Sequence, residues 1–137
     1  MGRVIPTCLA LVLCDSVKRA TRAGEASVLR AFEFFEATRS LPESSQPFTV
    51  WMQFRNGNGR AAMRLVVEFV PPGDLDAIEI ITVRFSVFFE DPNAVVEHEA
   101  VFDNGLVFEH DGRYRVRVVA NGVQVMQRKF GVFRGTP

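Results

Sequence analysis

The alternation of apolar and polar residues over long stretches is the feature that most constrains how this chain can fold. An extended strand points successive side chains to opposite faces, so an apolar residue at every second position marks a strand with one buried face. The longest such series is Ile81, Val83, Phe85, Val87 and Phe89. Shorter series occupy residues 48–54, 63–69 and 114–120. A chain with this pattern is expected to be rich in β-strands.

Turn-forming residues separate these series and define the fold class. The strongest turn signals are Asn56-Gly57-Asn58-Gly59, Pro71-Pro72-Gly73-Asp74 and Asn121-Gly122. At 137 residues the chain has the length of one domain. Several strands spaced by turns therefore predict a single all-β domain over residues 1–137, an immunoglobulin-like antiparallel β-sandwich of about seven to nine strands without substantial helix.

Two stretches near the N-terminus are apolar on both faces. Residues 4–14 predict a central strand that is covered on both sides, and the polar residues 15–24 that follow predict a loop or a hairpin connection. Residues 27–38 fit either a helix or a strand by spacing alone. The run Phe32-Glu33-Phe34-Phe35 and the nearby Pro42 favour the strand.

The two cysteines, Cys8 and Cys14, lie six residues apart in the first of these stretches. In a strand they share one face, about 20 Å apart, whereas a disulfide tolerates a Cα separation of at most about 7 Å. We therefore expect two buried, reduced thiols and a cytoplasmic protein. The apolar residues 4–14 are a poor signal peptide, because only Arg3 precedes them, Pro6 interrupts them and Leu13 stands where a small residue is needed.

The hexapeptide Asp111-Gly112-Arg113-Tyr114-Arg115-Val116 resembles the Asp-Gly-x-Tyr-x-Cys motif of immunoglobulin-like domains. In that motif the tyrosine hydroxyl bonds to nearby backbone at a corner, and the cysteine forms the disulfide between the sheets. Val116 stands in the cysteine position here, so the resemblance implies the corner without the disulfide. It implies structural roles for Asp111, Gly112 and Tyr114, and we expect Asn121 and Gly122 to form the last hairpin turn.

A wider resemblance covers most of the chain. The segments that carry it are Leu11-Val12-Leu13-Cys14-Asp15-Ser16-Val17, Val28-Leu29-Arg30-Ala31-Phe32 leading to Leu41-Pro42, and Gly112-Arg113-Tyr114. They resemble a family of small proteins known only as a domain of unknown function, DUF6941. The resemblance implies a bacterial, cytoplasmic, β-rich protein and supplies no catalytic residues.

The densest set of metal-ligand types lies within residues 97–111. It consists of Glu97, His98, Glu99, Asp103, Glu109, His110 and Asp111. Among them His98, His110, Asp103 and Asp111 are weak candidates for a metal site, but their spacing matches no known metal motif. The set is typical of a solvated acidic edge, so we predict no catalytic residue, cofactor or metal.

Three arginines, Arg113, Arg115 and Arg117, share one face of a predicted strand, and Arg128 lies on the next strand. One interpretation of this arginine stripe is a surface that binds an acidic partner or a nucleic-acid backbone. The other is an exposed face that glutamates of neighbouring strands neutralise. The chain has 16 basic and 16 acidic side chains. A net charge of zero favours neutralisation, and we expect neither nucleic-acid nor membrane binding.

The apolar surplus is the remaining indication of function. A two-layer sandwich buries one face of each strand, yet residues 4–14, residues 27–37 and much of residues 78–89 are apolar on both. A protein partner, a second copy or long loops could cover the surplus. We therefore predict a non-enzymatic protein–protein interaction module or structural subunit of a bacterial assembly that self-associates. The alternative is a small-ligand- or metal-dependent enzyme centred on residues 98–111.

The last hairpin permits a prediction of register. A two-residue turn at Asn121-Gly122, continued as a regular ladder, would oppose Arg115 to Arg128 and point Phe130 away from Tyr114. One extra residue reverses every later side chain. The sequence therefore predicts a β-bulge in the return strand between Val125 and Phe130, which moves Phe130 and Val132 to the core face.

Overall fold

A computed structural model describes residues 4–19, 26–37, 41–73 and 75–134. These residues form eleven strands: Thr7–Arg19 (β1), Ala26–Ala31 (β2), Phe34–Ala37 (β3), Glu43–Ser44 (β4), Phe48–Arg55 (β5), Gly59–Val70 (β6), Ile78–Phe89 (β7), Val96–Phe102 (β8), Val107–Phe108 (β9), Gly112–Ala120 (β10) and Val123–Arg134 (β11). The described part of the chain contains no helix, and therefore none that could cross a membrane.

The strands form two main sheets and one short ribbon. The four-stranded sheet has the order β2-β1-β5-β8, and the five-stranded sheet has the order β3-β11-β10-β6-β7. Strands β4 and β9 pair as a two-stranded ribbon. All these pairings are antiparallel except that between β3 and β11, which is parallel.

The inner faces of the two sheets meet in one hydrophobic core. Leu13 and Val50 of the four-stranded sheet and Leu65 and Val118 of the five-stranded sheet are completely buried there. Phenylalanine rings concentrate towards one end of this core, in the contacts of Phe35, Phe48, Phe108 and Phe130. The alternating series of the sequence therefore bury one face each, as their period requires.

The prediction of an all-β sandwich without helix is confirmed. The strands exceed the predicted seven to nine for two reasons. Residues 27–38 are extended, as predicted, but form two strands, β2 and β3, in different sheets; Thr38 lies outside the described residues. Strands β4 and β9 have two residues each, too few for an alternating pattern to show.

The first strand is longer than predicted. The polar residues 15–19 continue β1 instead of beginning a loop, and they pair with β2 from Ser16↔Leu29 to Arg19↔Ala26. Polar residues are tolerated there because the side chains of Ser16 and Lys18 are exposed. Residues 20–24 of the predicted loop lie outside the described part of the chain.

The prediction that both thiols share one face is wrong. The pairing of β1 with β5 shifts between Cys8 and Ala10, so Leu9 is an extra residue that reverses the later side chains. Cys8 belongs to the inner core, whereas the Cys14 thiol lies near the backbone carbonyl of Thr49, at 3.5 Å. Both cysteines are free and buried, as expected.

The predicted bulge in the last hairpin is present, at the start of the predicted interval. Ala120 pairs with Val123 and Val119 with Gln124, but Val118 pairs with Met126, so Val125 is the extra residue. From there Tyr114 faces Phe130 and Gly112 faces Val132, and both apolar side chains are buried. The bulge does not remove the like-charge contact, since Arg115 faces Lys129 instead of Arg128.

Shortening β11 by two residues should destabilise the protein severely. If Val125 alone is deleted, the remaining residues form a regular ladder in which Phe130 still faces Tyr114, so the loss should be only about 1–2 kcal/mol. If Met126 is deleted as well, every later residue moves by one position, which turns the core side chains Phe130 and Val132 towards solvent at a cost of about 3–6 kcal/mol. Urea unfolding followed by circular dichroism measures both variants. A double deletion as stable as the single deletion would contradict the dependence of the core on this register.

Both thiols should be unreactive in the folded protein. Burial raises the pKa of Cys8 and of Cys14 to about 11, and for Cys14 the nearby Asp15 and Glu99 carboxylates add to this rise. The thiolate is the reactive form, so a colorimetric thiol reagent at pH near 8 should react slowly with native protein. After unfolding it should count 2 thiols per chain. A lower count, or immediate reaction of native protein, would contradict the assignment.

Candidate functional site

A cleft opens where the chain passes from one sheet to the other. Strand β2 belongs to the four-stranded sheet and β3 to the five-stranded sheet, with only Phe32 and Glu33 between them. The Phe32 amide donates to the Leu13 carbonyl at 2.9 Å, and the Gly131 amide donates to the Glu33 carbonyl at 3.0 Å. The crossing is therefore fixed to both sheets, and it forms one wall of the cleft.

The opposite wall is the segment of residues 41–48, which includes β4 and returns the chain to the four-stranded sheet. Ser45 fixes this wall to the segment before β9. Its amide donates to the Leu106 carbonyl at 2.8 Å, and its hydroxyl accepts the Leu106 amide at 3.0 Å. Gly105 approaches Ser45 so closely, with φ of 65°, that a side chain there would collide with the Ser45 backbone.

Aromatic rings form the base of the cleft. Phe35 is central, with ring centroids at 4.7 Å from Phe32, 5.0 Å from Phe48 and 5.1 Å from Phe108. These contacts are edge-to-face or tilted, the arrangements that aromatic rings prefer. Because Phe48 and Phe108 are almost completely buried, they hold the more exposed rings of Phe32 and Phe35 in place.

The cleft has a volume of about 450 Å³, in the range of small-molecule and peptide-side-chain pockets. Arg30 and Asp15 lie on its rim and form an ion pair, with 3.2 Å between Nε and Oδ2. Glu36 and Gln46 are further polar residues of the lining. Arg30 has a φ of 57°, an uncommon value for a residue other than glycine.

An unpaired strand edge runs along the cleft. Strand β3 ends the five-stranded sheet, so only one of its edges pairs with a described strand, β11. Phe34 on this strand is 56% exposed and lines the cleft. A free edge beside an apolar pocket can bind an extended peptide, whose backbone pairs with the edge and whose side chain enters the pocket.

The structure does not bring the two histidines of residues 97–111 together. His98 stacks on Phe85, whose cross-strand partner on β6 is Met63, while His110 stacks on Phe69. Met63 and Phe69 are six residues apart on β6, which is about 20 Å along the strand. Asp103 and Asp111 are exposed. Among the described residues no group of three or more potential ligands is arranged to hold a metal ion.

The residues with expected structural roles lie at two turns. The Tyr114 hydroxyl, at the start of β10, donates to the His110 carbonyl, and the Tyr114 side chain is almost completely buried. Gly112 has a φ of 126°, while Asp111 is exposed. At the other turn both Asn121 and Gly122 have positive φ, as the predicted hairpin turn requires.

Asn121 also ties the turn to its surroundings. Its side-chain oxygen accepts the Ala62 amide at 3.0 Å, and its side-chain nitrogen donates to the Val4 carbonyl at 3.0 Å. The residue therefore connects the last hairpin both to β6 and to the chain segment before β1.

A glutamate on the neighbouring strand neutralises part of the arginine stripe. Glu68 on β6 is almost completely buried and forms ion pairs with the Nε atoms of Arg115 and Arg117. The prediction that Arg128 accompanies the stripe is wrong. Since Val125 shifts the register, Arg128 faces Val116 on the inner side of the sheet.

The cleft itself was not predicted from the sequence. Its two walls are separate segments that meet only because β2 and β3 join different sheets. The one available signal was the ambiguity of residues 27–38, where helical spacing puts Phe32 and Phe35 on one side but a single strand puts them on opposite faces.

The fold and the cleft define a small all-β sandwich with an aromatic-based cleft beside a strand edge that pairs with no other described strand. Comparison with protein-family models assigns the chain more narrowly. Residues 9–133 match the family of unknown function DUF6941, and the chain belongs to that family. A comparison with curated proteins finds no match.

The half-buried His98 should make the stability of the protein depend on pH. Burial lowers the pKa of His98 below its usual value of 6.5, and the nearby Glu99 carboxylate opposes this only partly. Between the two pKa values the unfolded chain binds more protons, so stability should fall as the pH decreases below about 6.5.

The variant His98→Phe keeps a ring against Phe85 and removes the titrating group. Urea unfolding at pH values above and below 6.5 should show a smaller acid loss of stability in this variant than in the wild type. An equal loss in both proteins would show that His98 does not carry the effect.

Proposed function

We propose that this protein is a non-enzymatic protein–protein interaction module that binds an extended protein segment in the cleft. We further propose that it self-associates, so that a second copy of this chain or another subunit of an assembly supplies the segment. The observation that carries the proposal is the position of the aromatic cleft along the free edge of β3. The edge offers backbone hydrogen bonds, and the cleft offers a pocket for an apolar side chain.

Exposed aromatic side chains beside the cleft support a protein partner. Phe34 and Phe133 lie on adjacent strands with ring centroids 6.1 Å apart, and each is more than half exposed. Rings without a polar group gain most from full burial. A partner strand on the edge of β3 would remove apolar surface from water at this place.

We also propose that the sandwich is immunoglobulin-like. The order β11-β10-β6-β7 corresponds to strands G, F, C and C′ of that fold, and β1-β5-β8 corresponds to A, B and E. The bond from the Tyr114 hydroxyl to the His110 carbonyl lies at the start of the F-like strand, where the tyrosine corner is found. Immunoglobulin-like domains carry binding surfaces of many kinds on one scaffold.

The bacterial cytoplasm is the location that we propose for this module. The sequence resemblance to DUF6941 implies it, and the two free, buried cysteines suit a reducing compartment. Val116 in the position of the immunoglobulin cysteine agrees with the same environment.

The proposed binding mode can be tested with two matched variants. Phe34→Glu places a charge in the cleft, whereas Phe88→Glu makes the same change on β7, where the phenylalanine is 59% exposed but lies outside the cleft. Short random peptides displayed on phage are selected against the full-length chain, and fluorescence anisotropy gives the Kd of each selected peptide. Phe34→Glu should weaken binding at least about tenfold, and Phe88→Glu should not.

Native mass spectrometry with light scattering tests self-association of the same three proteins. The wild type and Phe88→Glu should form oligomers whose fraction grows with concentration, and Phe34→Glu should shift towards monomer. A wild type that stays monomeric at all concentrations would exclude self-association. Selected peptides that bind Phe34→Glu as tightly as the wild type would exclude the cleft.

A further inference from the structure

The outer surface of the five-stranded sheet carries a large excess of positive charge. The register places seven basic side chains there and three acidic ones, an excess of four positive charges in a chain with no net charge. We call this surface the basic face: its basic residues are Arg60, Arg64, Arg84, Arg113, Arg115, Arg117 and Lys129, and its acidic residues are Glu36, Glu68 and Glu79. Of these residues only Glu36, at the edge of the sheet, lines the cleft.

A buried carboxylate orients two of these arginines. Glu68 Oε1 accepts from the Nε atom of Arg115 and, at 2.7 Å, from that of Arg117. Arg117 Nη1 also donates to the Gln124 side chain at 3.3 Å. Both guanidinium groups are thus held through Nε, and the two side chains remain partly exposed, Arg115 at 32% and Arg117 at 28%. A guanidinium held in this way has further N–H groups with which it can bind an anionic oxygen pair.

A second arginine pair on the basic face has no acidic neighbour among the described residues. Arg64 on β6 and Arg84 on β7 are direct cross-strand partners, and like charges directly opposite are destabilising. Within the described residues neither forms an ion pair or a hydrogen bond through its side chain. The sheet tolerates this repulsion, and an anionic partner would relieve it.

We propose that the basic face binds an acidic segment, rich in Asp and Glu, of a partner protein. This site is separate from the cleft and goes beyond the function proposed above. Six of the seven basic residues are arginines, whose planar donors match the two oxygens of a carboxylate. The partner supplies the negative charge that the sheet itself lacks.

The charge distribution favours an acidic protein segment over a nucleic acid. Four spacings of about 4.8 Å make the five-stranded sheet only about 19 Å wide. Since the whole chain is neutral, the rest of its surface carries a matching negative excess. A long polyanion that extends beyond the basic face meets this negative charge, whereas a short acidic segment meets only the arginines.

Fluorescence anisotropy with the full-length chain tests the proposal directly. The probes are a labelled oligoglutamate peptide, an oligoglutamine peptide of the same length, and a single-stranded DNA of the same charge. The variant pair is Arg64→Gln with Arg84→Gln on the basic face, and Lys18→Gln with Arg55→Gln as the control. The control residues are exposed on the four-stranded sheet, so both double variants change the net charge equally.

Oligoglutamate should bind the wild type, oligoglutamine should not, and the basic-face variant should weaken binding at least about tenfold while the control stays within about twofold. The melting temperature of the basic-face variant should not fall below that of the control, because the substitutions remove the repulsion between Arg64 and Arg84. Phe34 lies in the same row of this face as Arg113, so a glutamate there would add a competing charge. Phe34→Ser adds no charge and should leave this binding unchanged, which separates the two sites. Equal weakening by both double variants, or tighter binding of the DNA, would overturn the proposal. The proposal would also be overturned if the wild type and the control self-associate and the basic-face variant does not. In that case the acidic segment would belong to a second copy of this chain.

Discussion

One extra residue in β11, Val125, determines the direction of every later side chain of that strand. Phe130 turns inward and stacks on Tyr114, with ring centroids 5.4 Å apart, and it also contacts Phe35 and Phe108 beneath the cleft. Lys129 turns outward, into the row that Arg115 and Glu68 occupy. The aromatic base of the cleft and the position of Lys129 on the basic face therefore both depend on this one register shift.

The crossing from β2 to β3 is the second constraint, and it explains why the cleft exists. A strand that stayed in one sheet would bury one face of residues 27–38 and expose the other. The change of sheet at Phe32 and Glu33 lets Phe32 and Phe35 point towards the same aromatic cluster. The segment that leads back to β5 cannot close over this point, because Ser45 is held to Leu106 on the other side. The opening between them is the cleft.

These two constraints also show what could be read from the sequence and what could not. Strands such as Phe48–Arg55 and Gly112–Ala120 were predicted closely, because their alternation depends only on local geometry. The bulge at Val125 was predicted because Phe130 needs a buried position. The extra residue at Leu9 was missed, since the stretch around it is apolar on both faces and either register buries it equally well. The cleft required knowledge of which sheet each strand joins, which no local pattern contains.

The basic face was hidden for a different reason. Equal numbers of acidic and basic residues indicated a neutralised surface, and Glu68 does neutralise part of it. The composition, however, is an average over surfaces that the fold separates. Arg64, Arg84 and Arg117 are far apart in the sequence, yet strand pairing places them on one side of one sheet. Because charges interact over about 10 Å, the local excess acts on a partner and the chain average does not. A neutral protein can therefore present a strongly charged binding surface, provided that its topology sorts the charges.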